Sequence, residues 1–148
     1  MSFSIIRTCV ACGQRNRIPS EHLADTGRCG ACKRALPPHS EPINVDAMAF
    51  AEIVGQATVP IFIDFWAGWC GPCLLAAPEV KRLAIETAGK ALILKVNTDD
   101  CPQLSTQFSV QSIPSFVVLR GGRAVFQQTG LFPCAEMRRW VEAAVVQS

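Results

Sequence analysis

Six of the eight cysteines fall into three Cys-x-x-Cys pairs, Cys9/Cys12, Cys29/Cys32 and Cys70/Cys73, while Cys101 and Cys134 stand alone. Two sulfurs at that spacing can close and reopen a disulfide, or present two thiolates to one metal ion. The surroundings decide between these. Cys70 and Cys73 follow Val59–Trp66, an apolar run rich in β-formers that reads as a strand buried on both faces. A helix is expected from Gly71 towards Ala88, so both cysteines lie in or beside its first turn. There Cys70 meets unpaired backbone N–H groups and the positive end of the helix dipole. Both favour the thiolate, the form that attacks disulfides. Cys73 lies three residues on along the same side, within reach of a mixed disulfide formed on Cys70. Pro72 is tolerated in a first helical turn. A metal reading of this pair would need further ligands, and only Cys101 or Cys134 are on offer. Asp64 stands inside the apolar strand, where burial raises a carboxyl pKa and marks a functional candidate.

The N-terminal pairs have different surroundings. Cys9-x2-Cys12, sixteen residues and Cys29-x2-Cys32 form the four-cysteine spacing of a structural zinc site. Gly13 and Gly30 are expected to supply the relaxed backbone angles of the tight turns. Residues 1–35 are too polar to fold on apolar burial, so bound metal would supply the folding energy. Arg7, Arg15, Arg17, Arg28, Lys33 and Arg34 would offset the negative charge of four thiolates around Zn²⁺. Two additional redox pairs or an iron site are the alternatives. His22 and His39 read as surface residues, since four cysteines complete a tetrahedral site. Cys101 and Cys134 fall near expected helix starts, which could lower their pKa values, yet neither has a sequence partner and both read as structural.

These groups need a scaffold, and the composition permits one. Apolar residues make up 49% and charged residues 18% of the 148, enough for a packed core. The net charge of +2 is too small for whole-surface binding of nucleic acid. Charged residues and cysteines interrupt the first twenty residues, so no secretory leader is read there. No apolar run is long enough to span a bilayer. A reducing, cytoplasmic setting follows as the expectation. Residues 1–35 form the four-cysteine module, 36–42 a semi-rigid linker with three prolines, and 43–148 an α/β domain. Within that domain Asp46 should cap a helix over Ala47–Gln56. Ala91–Val96 reads as a second buried strand, Pro102 as the start of a short helix reaching Phe108, and Pro78 as a kink in the helix after Cys70. Ser115–Arg120 and Arg123–Thr129, joined at Gly121-Gly122, predict a hairpin, and Pro133 opens a final helix. Such an order implies a mixed sheet with helices on both faces.

The segment Trp66-Ala67-Gly68-Trp69-Cys70-Gly71-Pro72-Cys73 resembles the active-site sequence of the thioredoxin family, and the likeness extends over Ile43 to Ser148. It implies a thioredoxin fold and a protein-disulfide reductase in which Cys70 attacks and Cys73 resolves. It further implies that Asp64 assists proton transfer at Cys73 and that Lys95, on the adjacent strand, pairs with Asp64. Ile113-Pro114 would be the cis-proline loop, and Gly130 would complete a substrate groove that includes Trp69, Gly71 and Pro72. Pro78 matches the family's kinking proline. Gly68, Leu74 and Ser115 depart from the usual pattern and bear on partner preference. A zinc module ahead of such a domain is similar to the bacterial thioredoxin 2 group. The expected partners are disulfide-containing proteins and a flavin-dependent thioredoxin reductase, with no organic cofactor, no membrane, no nucleic acid and a monomeric state. A different class of function is a redox-responsive zinc-binding chaperone or partner-binding module. Another is a nucleic-acid-binding ribbon, which the basic residues of 1–35 suggest and the lack of stacking aromatics beyond Phe3 weakens.

Overall fold

The computed structural model describes residues 2–146. The final two residues of the expected α/β domain and Met1 of the expected module lie outside that range. Ser4–Thr8 (β1) pairs antiparallel with Arg15–Pro19 (β2), and Gly27–Arg28 (β3) with Ala35–Leu36 (β4). The chain then runs through Ile43–Asn44 (β5), Ala47–Gln56 (α1), Ile61–Trp66 (β6), Gly71–Glu86 (α2) and Leu92–Asn97 (β7). Pro102–Gln107 (α3), Ser115–Arg120 (β8), Arg123–Thr129 (β9) and Cys134–Val146 (α4) complete it. Strands β5, β7, β6, β8 and β9 lie side by side in that order; the first three are parallel and the last two antiparallel.

Local chemistry sets several of these boundaries. The Asp46 carboxylate accepts from the Ala49 N–H at 2.8 Å, closing the open end of α1. Gly121 and Gly122 take φ values of +60° and +79°, the left-handed pair that a two-residue hairpin requires. Helix α2 runs on through Pro78, whose missing N–H leaves the Leu74 carbonyl without its helical donor.

The sheet is covered on both faces. Phe62, Phe116 and Val118 pack against Val80 and Leu83 of α2 and against Met137 and Trp140 of α4. Ile63, Phe65, Leu94 and Val117 face the other way, towards Phe50 and Ile53 of α1 and Leu104 of α3. That second cluster continues into the N-terminal module through Ile18, Leu23 and Leu36, with Phe3 and Ile5 packed beside it. The module therefore contributes apolar side chains to a core it shares with the sheet, which its polar composition concealed. It is also tied down by polar contacts. The Phe3 N–H donates to Glu52 of α1 at 2.7 Å, and the His39 N–H to the Leu23 carbonyl at 3.0 Å. Residues 37–42 carry no regular structure, but Pro38 lies so near Gly89 that a Cβ there would meet its ring at 3.3 Å.

Candidate redox site and four-cysteine cluster

Strand β6 ends at Trp66, Ala67 is fully buried, and the turn Gly68-Trp69 delivers Cys70 to the N-cap of α2. The Cys70 sulfur accepts from the Cys73 N–H at 3.2 Å, so a main-chain donor of the first turn points at it. The two Cα atoms are 5.3 Å apart and the sulfurs are bonded to each other. Cys70 is 4% and Cys73 6% exposed, whereas Gly71 and Pro72 between them face solvent. Opposite Cys70 stands the loop before β8. The Ile113 carbonyl lies 3.7 Å from the Cys70 sulfur and the Ile113–Pro114 peptide is cis. The Gly130 N–H donates to the Pro114 carbonyl at 3.0 Å, with Gly130 at φ +121°. Trp69 is 72% exposed, and its indole N–H donates to Asp99 at 3.0 Å. With Ile113, Ser105 and Thr98 it lines a depression of about 530 Å³ beside Cys70. Leu74 and Leu75 are also exposed, which leaves this end of α2 apolar and uncharged.

Asp64 lies on the face of β6 that turns towards α2, alongside Phe62. It is 3% exposed and its Oδ1 has no hydrogen-bond partner. Burial pushes its pKa up to about 7, and the nearby Lys95 charge only partly opposes this. A carboxyl in that state can hold or release a proton near neutral pH. Lys95 is the Cα partner of Asp64 across the β6–β7 pair. Yet its ammonium rests over the Trp66 ring, 4.8 Å from the centroid, and no ion pair within 4 Å joins it to Asp64. The expected direct pairing is thus replaced by a cation–π contact, an arrangement that spares the ammonium from entering the apolar face. Cys101 and Cys134 do not gain acidity from their helix starts. Both are 3% exposed, and burial raises both thiols, reinforced by Asp100 for Cys101 and Glu86 for Cys134. Ser115 is buried, 3.4 Å from the Thr129 hydroxyl.

The four N-terminal cysteines converge, with their sulfurs all within 4.8 Å of one another. Cys9 and Cys32 are 3.7 Å apart, and Cys12 and Cys29 3.5 Å. Four sulfurs placed tetrahedrally at about 2.3 Å from one Zn²⁺ would be roughly 3.8 Å apart, so the donor set fits that ion. Each pair forms the same turn. The Gly13 N–H returns to the Cys9 carbonyl at 2.8 Å, and the Lys33 N–H to the Cys29 carbonyl at 3.0 Å. Gly13 takes φ +79° and Lys33 φ +67°, so Lys33, not Gly30, occupies the left-handed position of the second turn. The Cys29 thiol is drawn down to about 6, chiefly by the Cys32 N–H. His22 pairs with Asp25 at 2.8 Å and is no part of the cluster; His39 is half-buried rather than a plain surface residue.

Two stretches of the chain match known protein families. A protein-family model described as Thioredoxin matches residues 41–143, and one described as Thioredoxin 2, N-terminal, a zinc ribbon, matches residues 8–34. Thioredoxin C-3 of Corynebacterium nephridii is 34% identical over 143 residues, covering 97% of each chain. Thioredoxin 1 of Chlorobaculum tepidum is 39% identical over 67% of this chain and 98% of its own. A mutant thioredoxin from Halobacterium salinarum superimposes with a TM-score of 0.67 at 27% identity, over 74% of this chain and 95% of that one. Chloroplastic thioredoxin z does so with 0.64 at 27% identity, over 70% and 94%. On these grounds, a sheet that delivers a vicinal cysteine pair to a helix start and a relative aligned end to end, the chain belongs to the thioredoxin family of thiol–disulfide oxidoreductases.

Proposed function

We propose that the chain reduces disulfides in other proteins through Cys70 and Cys73. The observation that carries this is the Cys70 sulfur at the mouth of α2, receiving a main-chain N–H and bonded to the sulfur three residues on. In the reduced chain the Cys70 thiolate attacks one sulfur of the substrate disulfide, forming a mixed disulfide and expelling the other sulfur as a thiolate, which takes up a proton. Cys73 then loses its proton, with Asp64 as the acceptor, and attacks the Cys70 sulfur. The second substrate thiol leaves, two electrons have passed to the substrate, and the chain ends as the Cys70–Cys73 disulfide. Trp69, Gly71, Pro72, Ile113, Pro114 and Gly130 line the surface that receives the substrate chain. Lys95 moderates the charge felt by Asp64. Reducing equivalents would return from a flavin-dependent thioredoxin reductase in a cytoplasmic setting, with the chain acting as a monomer. Residues 1–35 would hold one structural Zn²⁺ through Cys9, Cys12, Cys29 and Cys32, with 36–42 leading into the domain of 43–148. The metal would fix the two turns of the module.

Among the described residues no helix is long and apolar enough to cross a membrane. The test of the reading is a trapping experiment. Cys73→Ser protein exposed to a small disulfide protein is expected to accumulate a covalent adduct on Cys70, which wild type resolves and Cys70→Ser never forms. An adduct that survives in Cys70→Ser, or wild type that leaves the disulfide intact under excess dithiol, would refute it.

A further inference from the structure

Asn16 does something in the four-cysteine cluster that no ligand does. It lies on β2, two residues beyond the end of the first turn and opposite Arg7 of β1. Its Oδ1 accepts from the Gly30 N–H at 2.9 Å, inside the second turn. Its Nδ2 donates to the Cys29 sulfur at 3.6 Å and to the Gln14 carbonyl at 3.1 Å. One amide therefore ties the strand leaving the first cysteine pair to the main chain and to a sulfur of the second. Among the described residues it is the one side chain, other than the cysteines themselves, that hydrogen-bonds a cluster sulfur.

The chemistry gives that contact a purpose. Cys29 is fully buried, and a buried thiolate needs hydrogen-bond donors in place of water. The Ala31 N–H, at 3.4 Å, and the Cys32 N–H supply donors from within the second turn, and Asn16 supplies one from outside it. Four thiolates around one divalent ion carry about two net negative charges, and donors to sulfur spread that charge.

We propose that Asn16 is a positioning residue for the metal: its amide N–H orients and stabilises the Cys29 sulfur while its amide oxygen clamps the second turn, so that the ion is held tightly. This rests on the zinc reading of the cluster. The substitutions Asn16→Asp and Asn16→Ala in the full chain separate the two halves of the role. Aspartate keeps an acceptor for Gly30 but removes the donor and sets a carboxylate against Cys29; alanine removes both contacts. The measurements are the rate of zinc loss to a chelator and the thiolate-to-metal charge-transfer band after Co²⁺ replaces zinc. Both variants are expected to lose zinc about 10–100-fold faster than wild type, and Asn16→Asp to shift the charge-transfer band in whatever folded fraction retains Co²⁺. A purely architectural role would leave that band unmoved, which would overturn the proposal, as would wild-type release rates in Asn16→Asp. Wild type that takes up neither Zn²⁺ nor Co²⁺ would instead bring down the zinc reading itself.

Discussion

Replacing Asp64 by asparagine removes a carboxyl that folding holds in the wrong protonation state. In the unfolded chain that group titrates near the ordinary carboxylate value of 3.8; in the fold, burial moves it up to about 7. The native state therefore binds more protons than the unfolded state between those limits, and its stability falls as pH rises through that window. The gap between those two values corresponds to about 4 kcal/mol once pH exceeds the folded value. At pH 5 only about 2 kcal/mol of it has developed, and below pH 3 almost none. Asparagine does not titrate, so the stability difference between Asp64→Asn and wild type should grow from pH 4 to pH 7 and then level off. Urea unfolding of the oxidised proteins, followed by circular dichroism across pH 4 to 8, reads this difference directly. Proton uptake at the cysteines and surface carboxylates is common to both chains and cancels. A difference that stays flat with pH would mean that Asp64 reaches water, and the argument for its protonation would fail. If it holds, the same variant should turn over disulfides more slowly above neutral pH, because Cys73 loses its proton acceptor.

Leu74 is 68% exposed next to the cysteine pair, so Leu74→Lys places a positive charge at the uncharged start of α2. It should raise kcat/KM up to about fivefold for substrates with acidic residues flanking the disulfide, an advantage lost above roughly 0.5 M salt; equal gains for basic substrates would contradict this. Gly130 adopts φ +121°, and a Cβ there would lie 3.5 Å from the Phe132 ring. Gly130→Ala should therefore cost about 1–3 kcal/mol in urea unfolding and raise KM by loosening the Pro114 contact; unchanged stability would show that the backbone relaxes freely.

Features governed by nearest neighbours along the chain were the legible ones. The α1 cap at Asp46 and the Gly121-Gly122 hairpin depend on a side chain three residues away or on two adjacent glycines, and both sit where the sequence puts them. The cysteine pair at the start of α2 was equally plain, because an apolar strand followed by Cys-Gly-Pro-Cys leaves few other readings. The pairing of β1 with β2, and of β3 with β4, was hidden: these strands are short and lack the alternation of apolar and polar residues that marks a half-buried strand. Lys33 at φ +67° gave no signal, since lysine is not a residue that advertises a left-handed turn. Burial outweighed helix-end electrostatics at Cys101 and Cys134. Lys95 shows a finer limit, since the register that sets it opposite Asp64 does not choose between a carboxylate and an indole as its resting place. Asn16 escaped notice for a similar reason, being an ordinary strand residue until the second turn folds back against it.

The continuity of Ile18, Leu23 and Leu36 with Phe50 and Ile53 ties the packing of the four-cysteine module to that of the sheet, so that opening one would expose the other. Any ion that these sulfurs grip in the native state, but not in the denatured chain, adds to the free energy of opening that whole unit by mass action. The Cys70–Cys73 disulfide would thus ride on a scaffold whose durability is set, in part, by the supply of a metal that never touches it.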